Sequence, residues 1–331
     1  MKITALLPIL LFQQPLACNE ALDQEPLSVS QDSTQTMLVP HTISSNVVFR
    51  SADGGQTWEN ITGDIQGDKG TFSCFADNSG LYLLDGNTVW HNDPRDKAAH
   101  WAKEMLPDQN SGLVPGKSGM FAFTANGQVS QRTLGMPLWT PVFKTFENKA
   151  VHTVHETDSG AVLIGSDAGI FKSDDRGNTW KQVNSGGWVR EIVEANGILI
   201  ATSMGGILRS SDGGERWDYV IQEGGVGINV ECIQGGFAAI AYNTTLESRR
   251  IRTSYDGGVT WQTIDDGLFS LSISSLVQAG DYLFCGHPKG IFRSSDRGRT
   301  WELIFPAKDN RVFNLFVSGG VVYAVNMDGG C

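Results

Sequence analysis

Few residues of this 331-residue chain stand where they could do chemistry, and the best placed are two glutamates, Glu191 and Glu231. Each sits in a short extended run with apolar residues on either side, and aligning the runs puts the two at the same level of neighbouring repeats. Two carboxylates on neighbouring elements can act as acid and base on a glycosidic bond, provided that one has a raised pKa and the other stays ionised. Arg190, His152 and His155 are near neighbours. The competing reading is a pair of carboxylates lining a watery channel without catalysis, with the arginine and histidines packed between elements.

A second set of candidates is carried by polar loops: Asp167, Glu247, Arg249, Arg250, His287, Lys289, Asn326 and Asp328. Variable polar loops on a rigid frame are where ligand contacts gather. The alternative here is a solvated face with no ligand.

The elements that position these residues are repeats. Five copies of Ser-x-Asp-x-Gly-x-x-Trp recur: Ser51/Asp53/Gly55/Trp58, Ser173/Asp175/Gly177/Trp180, Ser210/Asp212/Gly214/Trp217, Ser254/Asp256/Gly258/Trp261 and Ser294/Asp296/Gly298/Trp301. Most follow a strand-like run such as Gly169–Lys172, and each precedes another. In a hairpin corner the Asp accepts hydrogen bonds from its own turn, the Gly takes the positive φ and the Trp plugs the sheet. Two worn copies fill the gap: Trp101, with Asp96 five residues before it, and Trp139, which keeps only the tryptophan. The seven Trp positions are 37 to 44 residues apart, the length of a four-stranded propeller blade.

After Trp301 the chain supplies only the first two strands of a further blade, and the missing half, 46–58, stands at the start. The expected fold is all-β, a seven-bladed β-propeller over 46–331 whose closing blade is shared by both ends, which also covers the sheet edges. A truncated eight-bladed protein is the alternative. In such a fold the Asp-boxes lie at the corners between the third and fourth strands, away from the face where the candidate loops open. Their role is then structural. Calcium on them is not expected, because each turn offers one carboxylate and a tight site needs several oxygens. No metal or cofactor is expected.

These boxes resemble the Asp-box, or BNR, repeat of sialidases, xyloglucanase-type glycosidases, sortilin-like receptors and photosystem II assembly factors. The sialidase likeness implies an Arg-Ile-Pro motif before the first box and six blades; this chain has only Arg50 there and seven expected blades. The xyloglucanase likeness implies a cleft between two propellers, and this chain has one. Sortilin-like receptors have more blades and disulfide-rich modules. The likeness to single seven-bladed assembly factors implies a binding platform for other proteins through basic patches. Here 36 acidic against 25 basic residues give a net charge of −11, so that partner does not carry over. The same charge argues against nucleic acid. The expected function is a non-catalytic, monomeric platform for a protein or glycan; the alternative is a divergent glycoside hydrolase using Glu191 and Glu231.

The N-terminus reads as an export signal: Lys2, then a ten-residue apolar run from Ile3 to Phe12, too short to span a bilayer. Ala17-Cys18 resembles a lipoprotein signal with Cys18 lipidated, although Pro15 departs from that pattern; ordinary secretion is the alternative. Residues 19–45 are polar and read as a disordered tether to the cell envelope, Cys18 being the sole membrane attachment. Cys74 and Cys232 align in one apolar column of separate blades, which points to buried thiols and not a disulfide.

Overall fold

The computed structural model describes residues 48–331, apart from 64, 66–72, 97, 99, 107–111, 118, 125, 134, 137, 143–148, 269, 309–311 and 328–331. The expected signal, Cys18, the tether and Asp328 lie outside the described residues. The described residues form 28 strands and no helix. They make seven antiparallel four-stranded sheets.

Blade I comprises Ser73–Asp77, Gly80–Asp85, Thr88–Asn92 and Ala102–Met105, strands a to d from the inside outwards. Blades II to VI follow at 112–141, 151–184, 192–221, 224–263 and 275–306. Blade VII takes strands a and b from Val312–Ser318 and Val321–Met327, then strands c and d from Val48–Ser51 and Glu59–Asn60. Val48 pairs with Val325 and Ser51 with Val322, so the two ends of the chain close the ring as expected. Each a strand packs beside those of its two neighbours, ending with blade VII against blade I. The fold is a seven-bladed β-propeller.

The core is divided among the seams between blades. Each of the seven junctions holds one apolar cluster. Between VII and I, Val48, Ile61 and Tyr323 meet Leu81 and Leu83. Between II and III, Phe121 and Phe123 meet Ile164 and Phe171. Burying a Leu, Ile or Phe fully is worth about 1.5–3 kcal/mol, so each seam is the main stabiliser of its two blades.

The intact boxes sit at the c–d corners, and their carboxylates bond as the residue types require. In the first, the Asp53 carboxylate accepts from Ser51 Oγ at 2.8 Å, Gln56 N at 3.0 Å, Thr57 N at 2.9 Å and Thr57 Oγ1 at 2.6 Å. Ser51 Oγ in turn accepts from Gly55 N at 2.9 Å. Gly55 has φ +85°, and a Cβ there would stand 2.5 Å from Ile304 Cδ1 of blade VI, so the turn needs glycine for conformation and for space.

The tryptophans are less uniform than the motif predicts. Trp180, Trp217 and Trp261 each donate their indole N–H to the carbonyl of their own box glycine at 3.1 Å. Trp301 reaches Ile264 O of blade V at 2.7 Å, and the worn-copy Trp101 reaches Ile61 O of blade VII at 2.6 Å. Trp58 differs from the other four box tryptophans. Its indole Nε1 is buried and has no hydrogen-bond partner among the described residues. The ring lies over Phe305 of blade VI, with centroids 5.3 Å apart and planes 32° from parallel, and it joins the apolar cluster between blades VI and VII. Trp58 therefore remains structural, but as an aromatic plug of a seam and without the hydrogen bond that ties the other box tryptophans. An unpaired buried N–H costs about 1–3 kcal/mol, which ring packing at this seam has to offset. In the worn corner of blade I the turn acid is Asp93, which accepts from Arg95 N, and not the aligned Asp96.

Candidate functional site

The a strands enclose a central cavity of about 690 Å³ with walls from all seven blades. Both glutamates line it, together with His152, His155, Arg190 and Asn229. The sequence therefore brought the right blades together. It placed the two glutamates at the wrong relative height.

Strand pairing gives the register. Ile192 pairs with Ala201 in blade IV, Val230 with Ala239 in blade V and Leu276 with Cys285 in blade VI. The blade V counterpart of Glu191 is therefore Asn229, and Glu231 lies two residues further on, about 6.6 Å along the strand. Two bulges in the ten-residue a strand of blade V, at Gly224/Gly227 and Gly227/Asn229, hide this from an alignment by eye. By the same shift Cys74, which pairs with Leu83, corresponds to Val230 and not to Cys232. Cys74, Cys232 and Cys285 are free thiols, in agreement with the expected absence of a disulfide between the first two.

Polar residues at this level of the a strands bridge the seams, which the sequence did not reveal. Four of them accept the backbone N–H of the next blade's a strand. Ser73 Oγ accepts from Leu113 N at 3.1 Å, Glu191 Oε2 from Val230 N at 2.9 Å, Asn229 Oδ1 from Leu276 N at 3.2 Å and Ser275 Oγ from Leu315 N at 2.9 Å. Asn229 Nδ2 also donates to Glu191 Oε2 at 3.2 Å, which links blades IV, V and VI in one chain of bonds. A second tier lies near the a–b turns. Glu156 accepts from Lys117 N at 2.6 Å, Glu194 from Asp158 N at 2.7 Å and Gln278 from Gln234 N at 2.6 Å. The recurrence of an acceptor about forty residues from each N–H, before it in the first tier and after it in the second, was the available signal.

Electrostatically the cavity disfavours charge. Burial pushes the Glu191 carboxyl up to about 7, against the opposing pull of Val230 N, Asn229 and Arg190. Burial pushes Glu231 up to about 8, and the neighbouring Glu191 charge adds to it. The Glu231 carboxyl makes no hydrogen bond or ion pair among the described residues. His152 is held below its ordinary value by burial and then by Arg190. Burial likewise lowers His155, whose Nε2 lies 3.3 Å from Glu194 Oε2, a contact that works in the opposite direction.

The loop candidates separate into two groups. Asp167, Glu247 and Lys289 are exposed, Glu247 with φ +48° at its hairpin tip. Arg249, Arg250 and His287 are internal. Arg249 donates to Ile273 O at 2.7 Å, and Arg250 forks onto the buried Asp265 carboxylate at 2.6 and 2.8 Å. His287 packs edge-on against Phe292 and accepts from Lys289 N through Nδ1 at 3.0 Å. Burial, then Lys289, lowers it to about 4, so it is neutral at pH 7. Asn326 is half-buried. The residue missed on this face is Trp188, beneath the Arg190 guanidinium at 4.7 Å. Among the described residues no group of three His, Cys, Asp or Glu could hold a metal ion.

The family described as the BNR-Asp box repeat matches residues 170–183 and 291–304. No curated protein sequence matches the chain. Among solved structures it is similar to YCF48 bound to D1 peptide, at 14% identity and TM-score 0.55, over 78% of this chain and 94% of that one. It is also similar to the xyloglucanase of Xanthomonas campestris, at 14% identity and TM-score 0.58, over 79% of this chain and 52% of that one. The virginiamycin B lyase of Staphylococcus aureus matches at 12% identity and TM-score 0.59, over 79% of this chain and 96% of that one. At such identities the likeness is one of fold. Taken with the closed ring, it agrees with a seven-bladed β-propeller, in which two of the c–d corners match the BNR-Asp box repeat.

Proposed function

We propose that the chain is an exported, non-catalytic propeller, anchored through a lipidated Cys18, that presents its channel-mouth face to a protein or glycan. The observation that carries this reading is the state of the two channel glutamates. Glu191 is engaged in the seam by Val230 N and Asn229, and both carboxyls are pushed towards the neutral form. Glycosidic hydrolysis needs a neutral acid and an ionised carboxylate that both face the substrate, and Glu191 Oε2 is already taken up in the seam by Val230 N and Asn229 Nδ2. The phenylalanines of the cavity wall, Phe75, Phe123 and Phe316, all pack against inter-blade clusters. Similarity to a peptide-bound propeller supports a protein partner.

One observation favours the second reading, a glycan-active enzyme: the unpartnered Glu231 shares the cavity with Glu191. The two are separated by assaying the whole chain on a broad panel of oligosaccharides, with Glu191→Gln and Glu231→Gln alongside. No turnover is expected. Cleavage that disappears in Glu231→Gln makes the chain an enzyme. For the anchor, Cys18→Ser should move the protein from the membrane fraction to the soluble one; an unchanged distribution removes the lipoprotein claim.

A further inference from the structure

One strip of the channel-mouth face differs from the rest. It starts at Tyr219 on the outer strand of blade IV, which is 38% exposed. It continues over Met204 of the b–c loop, which is 50% exposed. It then crosses the 184–190 connection to Trp188 and Arg190, and Arg190 opens into the cavity.

The strip is built on glycines. A Cβ on Gly187 would stand 2.8 Å from Met204 Sδ, and one on Gly205 would stand 2.5 Å from the Tyr219 hydroxyl. The thioether and the phenol therefore lie directly on bare backbone. Ser203 Oγ donates to the Tyr219 hydroxyl at 3.2 Å, which fixes the ring. The result is a shallow apolar track that ends at a guanidinium.

Arg190, like Arg297 over the Tyr255 ring, lacks the carboxylate partner that several other arginines have among the described residues. Arg50, Arg132, Arg250, Arg252 and Arg293 all pair with carboxylates. The exposed Arg190 guanidinium has only the Trp188 ring, with no ion pair among the described residues. In a chain of net charge −11, a free guanidinium at the mouth of the central cavity is a local positive site. Glu191 acts on it from inside the seam, and Asp167 and His152 belong to the same corner. His152 stays neutral there, so it adds no competing cation.

We propose that the strip Tyr219–Met204–Trp188–Arg190 docks an extended segment of a partner protein, with an acidic side chain on Arg190 and apolar side chains on Met204 and Tyr219. Charge complementarity selects the acid, and an Arg backed by an aromatic ring is a frequent anchor of protein interfaces. Methionine adapts to varied apolar side chains. A sugar stacks on a bare ring, whereas the Trp188 ring already carries the guanidinium. This inference rests on the binding-surface reading given above.

The test uses the whole chain on arrays of decapeptides in which one Asp lies between apolar residues, with matched peptides carrying Asn. Asp peptides should bind about tenfold more tightly than Asn peptides, the worth of one favourable charged pair. Arg190→Ala should bring that ratio to about one, and Met204→Ala should weaken both sets about fivefold. Melting curves of both variants should overlay the wild type, since both side chains are exposed. An Asp-to-Asn ratio that persists in Arg190→Ala overturns the strip while leaving a binding surface elsewhere. Binding of uronate oligosaccharides at Arg190 without any peptide binding replaces the partner class. Oligosaccharide cleavage with no retained peptide overturns the platform reading as well.

Discussion

The Asp-box rim and the channel wall are both rings of polar side chains repeated blade by blade, yet they treat a carboxylate in opposite ways. On the rim Asp53, Asp175 and Asp296 are held down to about 2, chiefly by hydrogen bonds from the backbone or side chain of the threonine four residues on. In the channel Glu191 and Glu231 are pushed up to about 7 and about 8 by burial. Donors that converge on an oxygen favour its charged form, and loss of water disfavours it. The same acidic chemistry thus locks a turn at the rim and bridges two blades in the channel. What differs is the number of donors relative to the loss of solvent.

Removing the bridge should have the largest effect. Glu191→Ala leaves Val230 N inside the seam without an acceptor, and the variant should lose about 1–3 kcal/mol of stability in urea titration. Glu191→Gln keeps a carbonyl oxygen at that place and should match or exceed the wild type. Equal losses in the two variants would show that the bridge is unimportant.

The next effect is one of pH. A carboxyl whose folded pKa is raised contributes stability that is complete below the unfolded value of 4.5 and is lost as pH rises through the folded value. Relative to Glu231→Gln, the wild type should lose roughly 1–3 kcal/mol between pH 5 and pH 8.5. A flat difference across that interval contradicts the raised pKa. The rim has the reverse sign. Asp53 contributes stability above the unfolded value of 3.8, lost as pH falls through about 2. Asp53→Ala should therefore lower the melting temperature by about 2–4 °C at pH 7, and the gap should close near pH 2.

The smallest signal is chemical. Burial pushes the Cys74 and Cys232 thiols up to about 12. Neither should react with a disulfide reagent at pH 8 until denaturant is added; prompt labelling of the native protein shows a more open channel.

That the rim carboxylates accept from their own turns was legible in the sequence. Ser, Asp and Gly at fixed spacing act within one short turn, so local geometry decides their bonds, and the Asp53 corner forms as its residue types require. The tryptophan of that same corner was legible only as a plug. Its N–H depends on the neighbouring blade, and at Trp58 that blade offers the ring of Phe305 and no acceptor. Where the motif decays, legibility decays with it, and Asp93 replaces the aligned Asp96 as turn acid. The channel was legible in outline. Which blades meet there follows from counting, but height along a strand depends on bulges, and two of them in blade V moved Glu231 away from the level of Glu191. Arg249 and Arg250 had the composition of a binding loop, and tertiary packing drew both inwards, onto Ile273 O and Asp265.

The sequence by itself determined the repeat, the blade count and the closure of blade VII by the two chain ends, because each follows from patterns within about forty residues and from the edges they leave unpaired. Only the tertiary structure decided which polar groups remain free. That depends on what packing presents: Val230 N to Glu191, Asp265 to Arg250, and to Arg190 the ring of Trp188 with no ion pair among the described residues.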